Sequence, residues 1–180
     1  MAGDPRAAFT SLWVDHSAAV RAFAWRRCPA AMVDDVVSET FLVAWCHLGE
    51  VPPAARAWLL GVARRVIHTR LRSRDRYLAL EQRVGGVPEA TSRGVEEAVI
   101  DRALLVSAWQ HLSEDEREAL ALVAWDGLDS AAAAQVLGCT RWVFRARVSR
   151  ARKRLTELLA AADADAPTPP VTRYPTTHQE

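Results

Sequence analysis

The sequence has 180 residues, half of them hydrophobic and a quarter charged, with 23 basic side chains against 22 acidic ones for a net charge of +1. That composition excludes a chain disordered throughout, and the length allows one medium domain or two small ones. No apolar run reaches the roughly 18 residues of a membrane span, and residues 1–6 lack a basic stretch leading into an apolar core, so neither a membrane protein nor a secretory signal is expected.

Strand-like alternation is nearly absent and helical periodicity recurs. Phe9, Leu12, Trp13, Val20, Phe23 and Ala24 lie three, four or whole turns apart. They predict a first helix that stops near Cys28-Pro29, because proline cannot continue it. Val33, Val36, Val37, Phe41, Ala44, Trp45 and Leu48 predict a second, stopped by Gly49 and Pro52-Pro53. A third starts near Ala55 and turns Trp58, Leu59, Val62, Ala63, Val66, Ile67 and Leu71 inward. The pattern breaks over residues 77–95, where Gly85-Gly86, Pro88, Thr91, Ser92 and Gly94 read as a flexible linker.

Helical signal returns over residues 95–112, with Val99, Ala103, Leu104, Val106 and Trp109 placed to face a core. Ser113 and Glu116 form a capping box that starts a fifth helix, ended by Asp126-Gly127. Asp129 or Ser130 caps a short sixth helix closed by Gly138, and Thr140 caps a seventh over residues 141–162. The Pro/Thr-rich tail is expected to be disordered. The expected fold is all-α: two small helical domains over residues 6–76 and 96–162, a flexible linker at 77–95, a tail at 163–180, and a helix-turn-helix in the C-terminal domain.

Residues 129–155 carry the clearest chemistry. A short helix, a glycine-containing turn and a second helix make a helix-turn-helix. In the second helix Phe144, Val148, Ala151 and Leu155 can pack inward on Ala133, Val136 and Leu137. The other faces carry Arg141, Arg145, Arg147, Arg150, Arg152, Lys153 and Arg154 with no acid among them. Such a helix suits the major groove, where arginine meets guanine edges and several cations neutralise phosphates.

A second basic segment, residues 56–76, gathers Arg64, Arg65, Arg70, Arg72, Arg74 and Arg76 against Asp75 alone. Two basic helices joined by a flexible linker suggest a protein spanning two separated DNA elements. A third segment, residues 34–45, is acidic and amphipathic. It reads either as a docking face for a basic protein surface or as a solvated helix face.

Cys28, Cys46 and Cys139 are odd in number and have no metal-ligand spacing. They read as buried reduced thiols or as a redox pair. His16, His47, His68, His111 and His178 are scattered and form no nucleophile or metal pattern. No enzyme activity, metal, cofactor or small-molecule substrate is expected. The competing readings are a dimeric helix-turn-helix repressor, which would bind palindromic DNA alone, and a protein adaptor without a DNA partner.

At these three segments the chain resembles the extracytoplasmic-function (ECF) sigma factors of bacterial RNA polymerase. DDVVSETFLVAW is similar to the family's region 2.2, ARAWLLGVARRVIHTRLRSR to regions 2.3 and 2.4, and LSEDEREALALVAWDGLDSAAAAQVLGCTRWVFRARVSRARKRL to regions 4.1 and 4.2. The resemblance covers about residues 6 to 160. It implies a cytoplasmic initiation factor that binds the polymerase core enzyme (clamp helices and flap) and promoter DNA, melts the minus-ten element, and is open to an anti-sigma factor.

Carried over residue by residue, the resemblance places core binding at Asp35, Ser38, Glu39, Leu42 and Val43. It places minus-ten contacts at Arg56, Arg64, Arg65, His68, Thr69 and Arg72, and minus-thirty-five contacts at Thr140, Arg141, Trp142, Arg145, Arg147, Ser149, Arg150 and Arg152. The linker would thread toward the RNA exit path.

The chain departs from the family pattern at Ser38 (commonly Gln), Val43 (commonly basic), Arg65 and Thr69 (commonly Asn and Asp), Ala132-Ala133 (usually Glu-Ile) and Trp142 (commonly Gly or another small residue). Trp142 can stack on a sugar, touch a thymine methyl or pack on the preceding helix. Trp58 lies where a base-capture pocket would form and also continues the core stripe.

Overall fold

In the computed structural model of the chain, the backbone is described for residues 4–82 and 99–164, and side chains for residues 4–76 and 104–161. Seven α-helices follow in order: α1 (Pro5–Trp25), α2 (Val33–Cys46), α3 (Ala55–Gln82), α4 (Val99–Gln110), α5 (Glu114–Ala124), α6 (Ser130–Leu137) and α7 (Arg141–Ala164). One-turn 3-10 helices at Ala30–Met32 and Leu48–Glu50 lead into and out of α2. There is no strand among the described residues.

The ends of the helices follow from local chemistry. The Asp4 carboxylate accepts from the Arg6 amide at 2.9 Å, and Pro5 opens α1, where its missing N–H costs nothing. Ser113 and Glu116 close the expected capping box on α5. Gly138 ends α6 in the left-handed conformation, φ 65°, which lets the Cys139 amide reach the Ala134 carbonyl at 3.0 Å and the Gly138 amide reach Gln135 at 3.2 Å. This pair of bonds is a Schellman motif, and a side chain at Gly138 would strain it. α3 continues to Gln82, into the segment expected to be a linker, because Leu, Ala, Glu and Gln there are strong helix formers. Residues 83–95 of that predicted linker lie outside the described residues, as does the expected tail beyond Ala164.

The N-terminal half packs Val20, Phe23 and Ala24 of α1 on Val33, Val36, Val37, Phe41 and Ala44 of α2 and Leu59, Val62, Ala63, Val66 and Ile67 of α3, all buried. In the C-terminal half Phe144, Val148 and Ala151 of α7 are buried, as are Ala133 and Val136 of α6.

Three expected core positions differ. Trp13 and Trp45 are 40% and 44% exposed. Each keeps an aromatic contact, Trp13 on Phe41 at 4.6 Å and Trp45 edge-on to Phe9 at 5.1 Å, so they roof the core from its rim. Val106 is exposed, and Ala108 takes the inward place on α4. Thr40 is buried outright, its hydroxyl donating to the Val36 carbonyl at 2.7 Å.

The two halves are not held apart. α6 lies on α3, and residues of both halves join one continuous hydrophobic core. Leu59 to Ala63 are buried in succession, so α3 is covered all round over that stretch.

Candidate nucleic-acid and polymerase interfaces

The helix-turn-helix is built from α6, the Gly138 turn and α7. Asp129 caps α6 by accepting from the Ala131 and Ala132 amides at 2.9 and 2.8 Å. Those bonds hold its carboxyl below the usual range, with the charge of Arg141 adding to the effect. Thr140 caps α7, its hydroxyl accepting from the Val143 amide at 3.3 Å. The outer face of α7 then carries Arg141, Trp142, Arg145, Ser149, Arg150 and Arg152, all exposed. Arg145 and Arg152 form no ion pair among the described residues. Trp142 is 81% exposed, so it does not pack on the preceding helix. Arg147 stands apart from the set. It is half-buried and pairs with Asp115 of α5 at 3.5 Å, so it braces the two helices.

α3 presents two faces. Arg65, Thr69 and Arg72 lie on an exposed one. Arg56, Arg64 and His68 lie on the face turned to the C-terminal half. Arg64 holds Glu118 of α5 with two hydrogen bonds, at 2.8 and 2.9 Å. That carboxylate holds the Arg64 guanidinium in its charged form, against the opposing effect of partial burial. Arg56 donates to the backbone carbonyl of Asp126 at 2.7 Å. The Asp126 carboxylate is 2% exposed and sits beneath two arginines of α1's end: Arg26, and Arg27 at 2.7 Å. Arg27 also covers the Phe23 ring, 3.6 Å from its centroid. Next to these pairs an open cleft of about 380 Å³ runs between α3 and α5, with Arg64, His68, Trp109 and Trp125 on its walls. Sequence reasoning missed Glu118 and Asp126, because neither lies near the basic helices in the chain.

On α2, Ser38 and Leu42 are exposed, Leu42 at 61%, while Glu39 and Val43 are half-buried. Arg70 of α3 reaches across to Asp35 at 2.9 Å and to Glu39 at 2.8 Å. The two carboxylates favour its charged form, the Glu39 hydrogen bond most of all. The acidic face is therefore partly neutralised within the molecule, with Asp35, Ser38 and Leu42 exposed on it. Trp58 is half-buried against the core, the second of its two readings.

The three cysteines are free. Cys46 is exposed, and Cys28 is half-buried with its thiol 3.2 Å from the Ala24 carbonyl; burial pushes that thiol up. No group of three or more acidic, His or Cys side chains could hold a metal ion among the described residues, and no described helix is long and apolar enough to cross a membrane.

Comparison with known proteins bears on this geometry. A family model for sigma-70 region 2 matches residues 12–77, and one for sigma-70 region 4 matches residues 102–155. The frame is thus that of a sigma-70-type transcription initiation factor. The ECF RNA polymerase sigma factor SigL of Mycobacterium tuberculosis is 33% identical over 81% of this chain and 85% of its own length. SigC of the same species is 38% identical over 73% of this chain and 71% of its own. The chain belongs to the ECF RNA polymerase sigma factors.

Two solved structures share the architecture. The sigma factor RpoE in complex with the anti-sigma factor NepR from Bartonella quintana has a TM-score of 0.62 at 28% identity, covering 84% of this chain and 96% of that one. CnrH in complex with the cytosolic domain of CnrY has a TM-score of 0.59 at 30% identity, covering 91% and 92%.

Proposed function

We infer that this chain is a cytoplasmic, dissociable subunit that directs bacterial RNA polymerase to promoters. Residues 6–76 bind the core enzyme through Asp35, Ser38, Glu39, Leu42 and Val43 of α2. They read and open the minus-ten element with Arg65, Thr69 and Arg72 on the exposed face of α3, and with Arg56, Arg64 and His68 on its other face. Residues 96–162 place α7 in the minus-thirty-five major groove, with Thr140, Arg141, Trp142, Arg145, Ser149, Arg150 and Arg152 toward DNA. Arg147 contributes there by holding α7 to α5. The chain supplies binding and orientation, and the nucleotide chemistry belongs to the polymerase. Two related sigma factors are known in complexes with NepR and with CnrY, which supports an anti-sigma factor as a further partner.

The observation that carries this reading is α7. It is a capped helix whose outer face is a run of exposed arginines around an exposed tryptophan, held by a helix-turn-helix against a packed inner face. A solvated helix with so few acidic neighbours repels itself, whereas DNA phosphates relieve that repulsion.

Run-off transcription with purified bacterial core polymerase on a promoter library tests it. Specific start sites that depend on the protein are expected. Tight binding of palindromic DNA by the protein alone, with no start sites, would replace it with the repressor reading.

A further inference from the structure

We propose that Arg70 is a positioning residue for polymerase docking: it holds the Asp35 and Glu39 carboxylates in the arrangement onto which a basic group of the core enzyme docks. The inference rests on the docking reading above.

Asp35 and Glu39 stand one turn apart on α2. Carboxylates at that spacing repel each other, and each flexible side chain loses rotamer freedom when a partner fixes it. Left alone, the pair would splay in water and be ordered only at docking. Arg70 orders it beforehand. Its base on α3 is fixed, because Val66 and Ile67 are buried in the core that α3 shares with α2. From there its Nη1 donates to Asp35 Oδ2 at 2.9 Å, and its Nε and Nη2 reach Glu39 Oε2 at 2.9 and 2.8 Å. The guanidinium is a rigid planar fork, so it sets the separation of the two carboxylates as well as neutralising them.

The arrangement leaves room for a partner. Arg70 takes one oxygen of each carboxylate. Asp35 Oδ1 and Glu39 Oε1 accept no hydrogen bond among the described residues. The Asp35 and Glu39 side chains are 64% and 41% exposed. Two carboxylates and one guanidinium leave one negative charge uncompensated, and a guanidinium or ammonium of the polymerase would complete an alternating network, which is worth more than an isolated surface pair. Arg70 itself is committed to α2, while its neighbours Thr69 and Arg72 lie on the exposed face of α3. Its place in a basic segment therefore conceals a role in protein docking.

The test measures equilibrium binding of the full chain to purified bacterial core polymerase for the wild type, Arg70→Lys, Arg70→Gln, and the isosteric double variant Asp35→Asn with Glu39→Gln, the last with and without Arg70→Lys. Arg70→Gln is expected to weaken binding about tenfold, since it frees two side chains, and Arg70→Lys about threefold, since it keeps the charge and loses the fork. The double variant should also bind more weakly, and adding Arg70→Lys to it should cost nothing further. A merely structural effect of Arg70 would persist in that background. With core in saturating excess, each Arg70 variant should bind a promoter duplex selected by the wild-type holoenzyme as well as the wild type does. Urea denaturation confirms that each variant is folded, and Arg70→Lys serves if Arg70→Gln is not.

Wild-type affinity in Arg70→Lys would overturn the positioning role, and so would an equal cost of Arg70→Lys in the double variant. Tighter binding by Arg70→Gln would make Arg70 a competitor of the polymerase for the two acids. Loss of promoter binding at saturating core would make it a DNA contact. If the wild type binds core and the double variant binds equally well, docking does not use the acids and the role falls, while the initiation-factor reading stands. If the wild type itself does not bind core, that reading fails first and the role goes with it.

Discussion

Arg64 and Glu118, 54 positions apart in the chain, form a two-point ion pair at 2.8 and 2.9 Å, with their side chains only 25% and 11% exposed. The pair joins the basic helix of one half to the first turns of α5 in the other. Partial burial and fork geometry make it stronger than a surface pair. A double-mutant cycle of Arg64→Met and Glu118→Gln, read by urea denaturation of the full chain, is expected to give a coupling of about 1 to 2 kcal/mol. A coupling near zero would mean that the pair does not form in solution.

The paired alanine substitutions Arg145→Ala and Arg150→Ala are expected to leave stability nearly unchanged, since both side chains are exposed. Promoter affinity should fall, and the slope of log affinity against log salt should flatten by about two, one per lost phosphate contact. A slope identical to wild type would remove α7 as the DNA-facing helix.

Trp142 exposes a large ring on the same face. The apolar feature of the major groove is the thymine C5-methyl. Replacing single thymines of the selected minus-thirty-five element by deoxyuridine deletes that methyl alone. At one position the wild type should lose about fourfold in affinity, the worth of one buried methyl-sized group at about 0.8 kcal/mol. Trp142→Ala should be indifferent to the swap there. Equal penalties in both proteins would assign the ring to the sugar-phosphate backbone instead.

On α2, Arg70 already occupies Asp35 and Glu39, so charge reversal of those acids would disturb the fold along with any docking. Leu42 is the cleaner probe, being 61% exposed. Leu42→Arg is expected to change stability by less than about 0.5 kcal/mol and to abolish co-elution with core polymerase. Wild-type co-elution would move the docking face off α2.

The Ser113–Glu116 capping box sets a pH dependence. The Ser113 backbone amide and hydroxyl both bond the Glu116 carboxylate, at 2.9 Å each, and hold its pKa below the ordinary glutamate value. A carboxyl depressed on folding stabilises the fold above its unfolded pKa, near 4.3, and loses that contribution as pH falls through the folded value. Glu116→Gln should therefore be less stable than wild type at pH 7, with a smaller deficit near pH 3. Ser113→Ala should cost about 1 kcal/mol at pH 7. Denaturation midpoints at the two pH values check both, and a Glu116→Gln deficit that persists in acid would contradict the assignment.

What could be read in the sequence was local. The inward set Phe144, Val148 and Ala151, the Asp129 and Thr140 caps and the Gly138 turn depend on spacing within one helix or turn, and the structure reproduces them. The rims were misread where a large ring roofs the core without entering it, as at Trp13 and Trp45, because periodicity records direction and not depth. The contact between the halves was hidden for a different reason. Arginine on a helix looks the same whether its counter-ion is a phosphate, water or a carboxylate 54 residues away. One signal was present: Trp58 to Ala63 is an apolar run that fills every side of α3, wider than a single-faced helix needs.

α6 has eight residues, too few to hold a helix in water by its own hydrogen bonds. It persists because it lies between α3 on one side and α7 on the other. Its amide hydrogens are therefore a gauge of that sandwich. Wherever that packing opens, the peptide groups around Val136 should exchange with deuterated solvent well before those of α7, whose 24 residues keep most of their ladder without help. The small helix between α3 and α7 would then record, proton by proton, how often that packing opens.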